Sequence, residues 1–406
     1  MEQNTTLHTK KNNTIANQVT KKKSDFPLFQ LLILNMVGFV AVMTETMPAG
    51  LLPLMARDLN ISAGAAGQFI SIFALGSVLA GVPIISATAH WPRKKVLLFA
   101  IFGYLVFNAA TSSTTNYYIM LLTRFCGGMA AGVAWGLLVG YAKRLVSPQQ
   151  TGKAIALVSS SIPLALAMGV PFATWLGLHF GWYGAFWLVT AVTAVLLVAI
   201  VFFIEDFPGS TKAKKRESSF KIFKNKEISK IFLILFLWMV THYSLYTYLG
   251  YYLRQYDLES NLDIFMLIFG FSALLGVLII GILVDRFLNK LIFICLTLYI
   301  IASIFLLLGI YSSLFIYIGI ILWGISFGGV PTLLQKRLAD ESQENSDVAQ
   351  SMYATIFNSA IAGGAFIGAI ILNIFGPLML AAAITLMGII KFLITYADKK
   401  NEYKEI

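Results

Sequence analysis

LFQLLILNMVGFVAVMTETMPAGLLPL, residues 28–54, is an apolar run in which, past Gln30 near its start, the polar residues are Asn35, Thr44, Glu45 and Thr46. A helix needs about 20 such residues to cross ~30 Å of hydrocarbon, so this stretch predicts a membrane span. Glu45 is the only carboxylate of the chain well inside such a span. Inserting a charge near the bilayer centre costs ~2.5–3.5 kcal/mol, so an acid there points to function, through proton coupling or the binding of a substrate cation. The alternative is a carboxyl that stays protonated, or one that pins its helix against a neighbour.

The rest of the chain has the same character. Hydrophobic residues make up 58% of its 406 residues and charged residues 12%. A soluble domain carries about 25% charged residues, so the composition predicts an all-α membrane protein. Twelve spans follow: 28–54, 66–87, 96–113, 117–141, 152–177, 183–204, 229–250, 264–285, 291–310, 313–334, 349–372 and 376–397. The net charge of +11 is scattered in short clusters between spans, which argues against a nucleic-acid partner. Cys126 and Cys295 lie inside apolar runs and read as buried thiols, with neither a disulfide framework nor a metal site implied.

The basic residues sort the connections into two sets. Even-numbered connections hold Arg93–Lys95, Lys143, Arg144 and Lys153, a central run from Lys212 to Lys230, Arg286 and Lys290, and Lys336 with Arg337; odd-numbered ones hold only Arg57 and Arg254. That asymmetry places the even connections and both ends in the cytoplasm. The expected organisation is a cytoplasmic tail over 1–27 without a cleavage site, a six-helix bundle over 28–204, a cytoplasmic loop over 205–228, a second bundle over 229–397 and a tail over 398–406. Lys336–Arg337 and Arg286 follow Lys143–Arg144 and Arg93 by 193 residues, which suggests a duplication; the loop-charge rule alone could also produce it. Two pseudo-symmetric bundles would put a site between them near the midplane.

Several motifs stand in order along these spans. Glu45 precedes Gly50-Leu51-Leu52-Pro53; Gln68 and Gly76 follow in the second span; Arg124 precedes Gly127, Gly128, Gly132 and Trp135 in the fourth. The fifth carries Gly169-Val170-Pro171 with Gly181-Trp182 after it. The tenth reads Trp323 to Pro331 with Gln335, and the eleventh has Asn358 before Gly363, Gly364 and Gly368. Together they resemble the major facilitator superfamily, in particular its twelve-span drug:proton antiporters near the arabinose-efflux-permease, sugar-efflux and purine-nucleoside-efflux group. The resemblance covers Leu28 to Ala397. It departs at two places. The loop after span two has Ala89, His90 and Pro92 before Arg93 and Lys94, where the family pattern has an acid that latches the cytoplasmic side; Gly281, Asp285 and Arg286 in the second half are closer to that pattern. Ser160-Ser161-Ile162-Pro163 replaces the usual glycine early in span five, and its proline is expected to kink the helix.

Glu45 lies eight residues before Pro53 and Arg124 seven after Tyr117, so both sit roughly 10–12 Å below the outer edge. A carboxyl exchanges its proton and an arginine does not, so the two predict a switchable pair, or else a static pair that sets helix register. The glycines of spans four and eleven read first as close-packing positions. Gly169 and Pro171 are expected either to permit bundle rocking or simply to pack. Trp238, His242 and Tyr246 form one stripe of span seven, suited to stacking a flat ligand or to helix packing. Tyr248, Tyr251 and Tyr252 read as an interfacial aromatic belt. Trp135, Trp323 and Asn358 complete the substrate-binding candidates.

No paired carboxylates, nucleophile motif or phosphate-cradling loop suggests an enzyme, and no cofactor is implied. The expectation is a monomeric plasma-membrane transporter whose partners are protons, a small-molecule substrate and the lipid bilayer. The family resemblance implies proton-coupled efflux by alternating access. The rivals are an importer of a sugar or nucleoside, and a membrane sensor that does not transport.

Overall fold

The computed structural model describes residues 26–209, 225–342 and 346–402. Eleven helices there are long and apolar enough to cross a membrane: α1 Leu28–Asp58, α2 Ala63–Ala87, α3 Arg93–Ser112, α4 Tyr117–Leu145, α5 Pro148–Phe180, α6 Trp182–Phe203, α7 Lys226–Thr247, α8 Glu259–Val284, α9 Arg286–Ile310, α10 Ser313–Ser342 and α11 Met352–Phe375. The twelfth, α12, runs Leu378–Glu402, with a shorter apolar stretch at Leu378–Leu393. All twelve expected spans are present as helices, several extended by a turn at one end. The central run from Lys212 to Lys224 and the N-terminal lysines lie outside the described residues.

Local chemistry sets the helix ends. Ser62 accepts the Ala65 amide, Asn116 those of Tyr118 and Ile119, and Asn225 those of Glu227 and Ile228, so α2, α4 and α7 start on side-chain caps. α5 is broken where the proline was expected to act. It ends one segment at Ser159, resumes over Ser161–Leu164, and passes through a π-helical turn at Ala165–Gly169. Pro163 and Pro171 flank that turn, and neither supplies a backbone donor. Asn35 of α1 donates to the Leu157 carbonyl (2.7 Å) and to Ser160 Oγ (3.0 Å), which holds α5 at the break.

The two halves repeat the same devices. α1 closes with Asn60 at φ 53° and the Ile61 amide on the Ala56 carbonyl; the helix Leu249–Arg254, which continues α7, closes with Asp257 at φ 55° and the Leu258 amide on the Leu253 carbonyl. These cap residues are 197 positions apart, and Asn and Asp tolerate that left-handed conformation best after glycine. Gly181 (φ 86°) and Gly376 (φ 83°) make the turns after α5 and α11. In the α2–α4 contact Gly128 lies against the Phe73 carbonyl and Gly76 against that of Phe125; Gly328 lies against the Ala273 carbonyl and Gly276 against that of Ile325 in the α8–α10 contact. All four positions recur after 200 residues. The packing register is therefore 200 in these helices, which the Lys143–Arg144 and Lys336–Arg337 pairs on α4 and α10, 193 apart, do not share; Arg93 and Arg286 each begin the third helix of their half. A side chain at Gly128 would drive α2 and α4 apart, so Gly128→Val is expected to cost about 1–3 kcal/mol. Thermal unfolding of the purified protein in detergent checks it.

Contacts between the halves gather away from the basic loops. Ser71 Oγ of α2 donates to the Ala362 carbonyl of α11 (3.0 Å). Gly64 faces Asn373, Gly67 faces the Tyr248 ring, Gly250 faces Pro53, and Gly270 of α8 lies on the backbone of Leu166 and Ala167 in α5.

Candidate functional site

The first-half site follows from a proline. An α-helical carbonyl normally takes the amide four residues on; for Thr44 that residue is Pro48, which has none. The freed carbonyl accepts Nη1 of Arg124 at 2.7 Å, while Arg124 Nε donates to the Phe69 carbonyl at 3.1 Å. The guanidinium also stacks over the Phe73 ring, 4.3 Å from its centre. Asn108 of α3 donates to Thr44 Oγ1 at 3.1 Å. Thus α1, α2, α3 and α4 meet at Thr44, and the shared depth expected of Glu45 and Arg124 is what the structure has. The expected direct pair is absent, because Arg124 spends its donors on carbonyls. Glu45 is buried, enters no ion pair among the described residues, and its Oε1 has no hydrogen-bond partner; nor has Nη2 of Arg124. Glu45 is within electrostatic reach of Tyr104, Arg124 and, on α7 in the other half, Tyr243.

The second half answers with rings. His242 stacks on Phe327 of α10 with centroids 3.6 Å apart, and packs around Tyr246 (5.2 Å), Phe269 (5.6 Å) and Trp323 (5.2 Å). Its faces are therefore occupied by protein rings, as the helix-packing alternative for this stripe has it. What the cluster leaves free is its polar edge. His242 Nδ1, Tyr246 Oη and the Nε1 atoms of Trp238 and Trp323 are buried without a partner. Buried polar atoms are otherwise almost always bonded, so these are groups a polar ligand or water would satisfy. Trp238 turns to another neighbour, Tyr299 of α9 (5.4 Å).

The remaining candidates are more dispersed. Trp135 is half-buried against the core, and Asn358, also half-buried, gives its amide to the Ala354 carbonyl of its own helix (2.9 Å). Gly169 ends the π-helical turn where a Cβ would strike Met43 and Phe39 of α1, and Pro171 is buried just after it. Tyr248 and Tyr252 do not form a belt. Both are fully buried, bonded to the Ala365 (2.9 Å) and Leu306 (2.6 Å) carbonyls.

On the basic-loop side, Arg93 donates to the Thr88 carbonyl (2.9 Å) and to that of Ala89 within its own loop. Asp206, beyond α6, accepts the Lys94 amide (3.0 Å), and Lys94 Nζ reaches the Val201 carbonyl (2.8 Å). An acid from the end of α6 thus reaches the backbone at the start of α3. Gly281 faces open space, Arg286 lies over Phe287 (5.2 Å), and the side chain of Asp285 lies outside what is described.

Sequence reasoning missed two residues. Pro48 was legible as the residue four after Thr44. Lys391, fully buried in α12, was legible by the same rule that singled out Glu45, applied to amines as well as acids.

Eleven helices of membrane-crossing length and a twelfth with a shorter apolar stretch, in two repeated halves with ionisable groups buried inside them, define a secondary transporter architecture. The model of the Major Facilitator Superfamily matches residues 34–365, and the chain belongs to that family. A chloramphenicol efflux pump of Mycobacterium tuberculosis is 26% identical over 381 residues, covering 91% of this chain and 92% of the pump. Among solved structures, the nucleoside transporter NupG superposes with a TM-score of 0.75 at 14% identity, covering 92% of this chain and 99% of its own. The human organic anion transporter MFSD10 superposes with 0.68 at 15% identity, covering 92% and 100%. At these identities the superpositions speak for the fold alone. The chain is a multi-pass membrane transporter.

Proposed function

We propose that this transporter exports a small organic molecule in exchange for protons. The observation that carries the reading is Glu45: a buried acid with a free oxygen, beside an arginine anchored to the carbonyl of the preceding residue. Because Arg124 keeps its charge, the net charge of the pair is set by Glu45 alone. Protonation at Glu45 breaks no hydrogen bond at Oε1, and deprotonation leaves a carboxylate facing both halves of the molecule. A substrate that competes with the proton for this region couples the two fluxes. The relation to a chloramphenicol efflux pump supports export, and makes chloramphenicol the first probe. In proteoliposomes with an imposed proton gradient, radiolabelled chloramphenicol is expected to accumulate in inside-acidic vesicles that hold the protein inverted. Accumulation driven the other way, or of nucleosides or sugars instead, would favour the importer.

The working division is two bundles, 28–204 and 229–397, around a cytoplasmic loop over 205–228, acting as a monomer in the plasma membrane. Trp135, Trp238, His242, Tyr246, Trp323 and Asn358 would line the substrate path, with Gly169 and Pro171 letting α5 flex. Contacts between halves away from the basic loops suit a state open to the cytoplasm. Exposed positions test the orientation: with Cys126 and Cys295 replaced by serine, Ser260→Cys is expected to react with an impermeant thiol reagent added outside cells, and Gln149→Cys is not. The reverse pattern would invert the topology.

A further inference from the structure

Lys391 has no part in the mechanism above, yet it is the most fully enclosed amine among the described residues. It stands in the middle of α12, at 0% exposure, and enters no ion pair among the described residues. Its Nζ is 3.2 Å from Thr241 Oγ1 on α7, 4.2 Å from the centre of the Tyr299 ring on α9 and 5.0 Å from that of Trp238 on α7. Two ring faces and one hydroxyl are a poor substitute for water around a permanent ammonium, and such residues in membrane helices are retained for function.

The hydroxyl is what makes this seat serve two protonation states. Thr241 Oγ1 lies 2.9 Å from the Leu237 carbonyl, 3.0 Å from that of Trp238 and 3.0 Å from Tyr299 Oη. With an ammonium at Lys391, Oγ1 accepts from Nζ and sends its own proton to one of those oxygens. With a neutral amine, the same hydroxyl turns its proton to the Nζ lone pair. No heavy atom has to move.

The surrounding titratable groups leave the amine without a competing acid. On α7, His242 is within electrostatic reach and its Nδ1 is unpartnered, while Glu227, near the start of that helix, is bound to Lys230 at 2.8 Å. On α9 the facing group is Tyr299, with Arg286 and Lys290 at the far end of the helix. From Ala349 to Phe375, α11 holds no charged residue, and its Tyr353 is bonded to the Pro331 carbonyl (3.0 Å). From Leu378 to Tyr396, Lys391 is the only charged residue of α12.

We propose that Lys391 is a second proton-exchanging group of this protein, the amine of the second half matching the carboxyl of Glu45 in the first. Protonated, it ties α12 to α7 and α9 through Thr241, Trp238 and Tyr299; neutral, it keeps the hydrogen bond and loses the attraction to the rings. This goes beyond the export reading, which uses Glu45 alone.

Trp238 provides the reporter, because an ammonium over its ring alters its emission. The full chain, purified in detergent, is titrated between about pH 5 and about pH 10, a range that brackets most shifted amines, and the Trp238→Phe signal is subtracted. Wild type is expected to show one Trp238-dependent step, and Lys391→Met none. Lys391→Arg should also be flat, since a guanidinium keeps its charge, and it retains the tie if the methionine variant folds poorly. His242→Gln should keep the step. A step that survives in Lys391→Met, or no step in wild type, overturns the proposal. No substrate enters the titration, so a flat wild-type curve would remove the amine while leaving export through Glu45 standing.

Discussion

Glu45→Gln is expected to abolish proton-driven export, lowering uphill flux at least about 100-fold, while folded protein still accumulates in the membrane. A hundredfold corresponds to about 2.7 kcal/mol, a modest demand on a residue that carries the coupled ion. The amide has nearly the shape of the acid, and Oε1 has no hydrogen bond to lose, so stability should change little. Downhill exchange of chloramphenicol, which needs no net proton movement, should survive. That contrast separates a coupling residue from a structural one, because a static register residue would impair both fluxes through lost protein. Uphill export at the native rate in Glu45→Gln would move the coupled proton elsewhere, with His242 and Lys391 the groups to test next.

The fold was legible because a bilayer imposes one rule everywhere: about 20 apolar residues per crossing, interrupted by charge on one side. Pro163 was readable as a break for the same kind of reason, a missing donor with no remedy within its own helix. What escaped the sequence depends on other helices. The faces of His242 are taken by Phe269 and Phe327, which stand on α8 and α10, and nothing in the spacing of α7 announces them. Tyr248 and Tyr252 sit near the end of a span, where a belt is the ordinary reading; they are buried because α11 and α9 offer carbonyls to their hydroxyls. Loop charge sets no packing register for α4 and α10, since basic residues can shift along a loop without cost. Glycines pressed on carbonyls cannot shift, and in α2, α4, α8 and α10 they carry a spacing of 200. Glu45 and Arg124 were placed at one depth correctly, but whether a guanidinium takes a carboxylate or a carbonyl depends on which acceptor is free. Here Pro48 decides it.

That dependence gives the second large effect. Arg124→Ala removes the donor to the Thr44 carbonyl, and with Pro48 in place no backbone amide replaces it. An orphaned buried acceptor costs about 1–3 kcal/mol, and the contact with Phe73 adds up to ~2. Export is expected to fall at least about tenfold as well, because the fixed charge beside Glu45 is gone. Arg124→Lys should fall between, keeping one donor for Thr44 and losing the fork that reaches Phe69. Pro48→Ala restores an amide four residues after Thr44, so the helix can satisfy that carbonyl by itself. In the Pro48→Ala background, Arg124→Ala should therefore cost less, by about 1 kcal/mol, than in the native sequence. The cycle is read from unfolding of the four purified proteins in detergent, with vesicle flux measured alongside. If the two substitutions prove additive, the arginine does not depend on the carbonyl that Pro48 frees. If the stability coupling is found but export stays low in the double variant, the bond to Thr44 positions Arg124 and its charge acts on Glu45 separately.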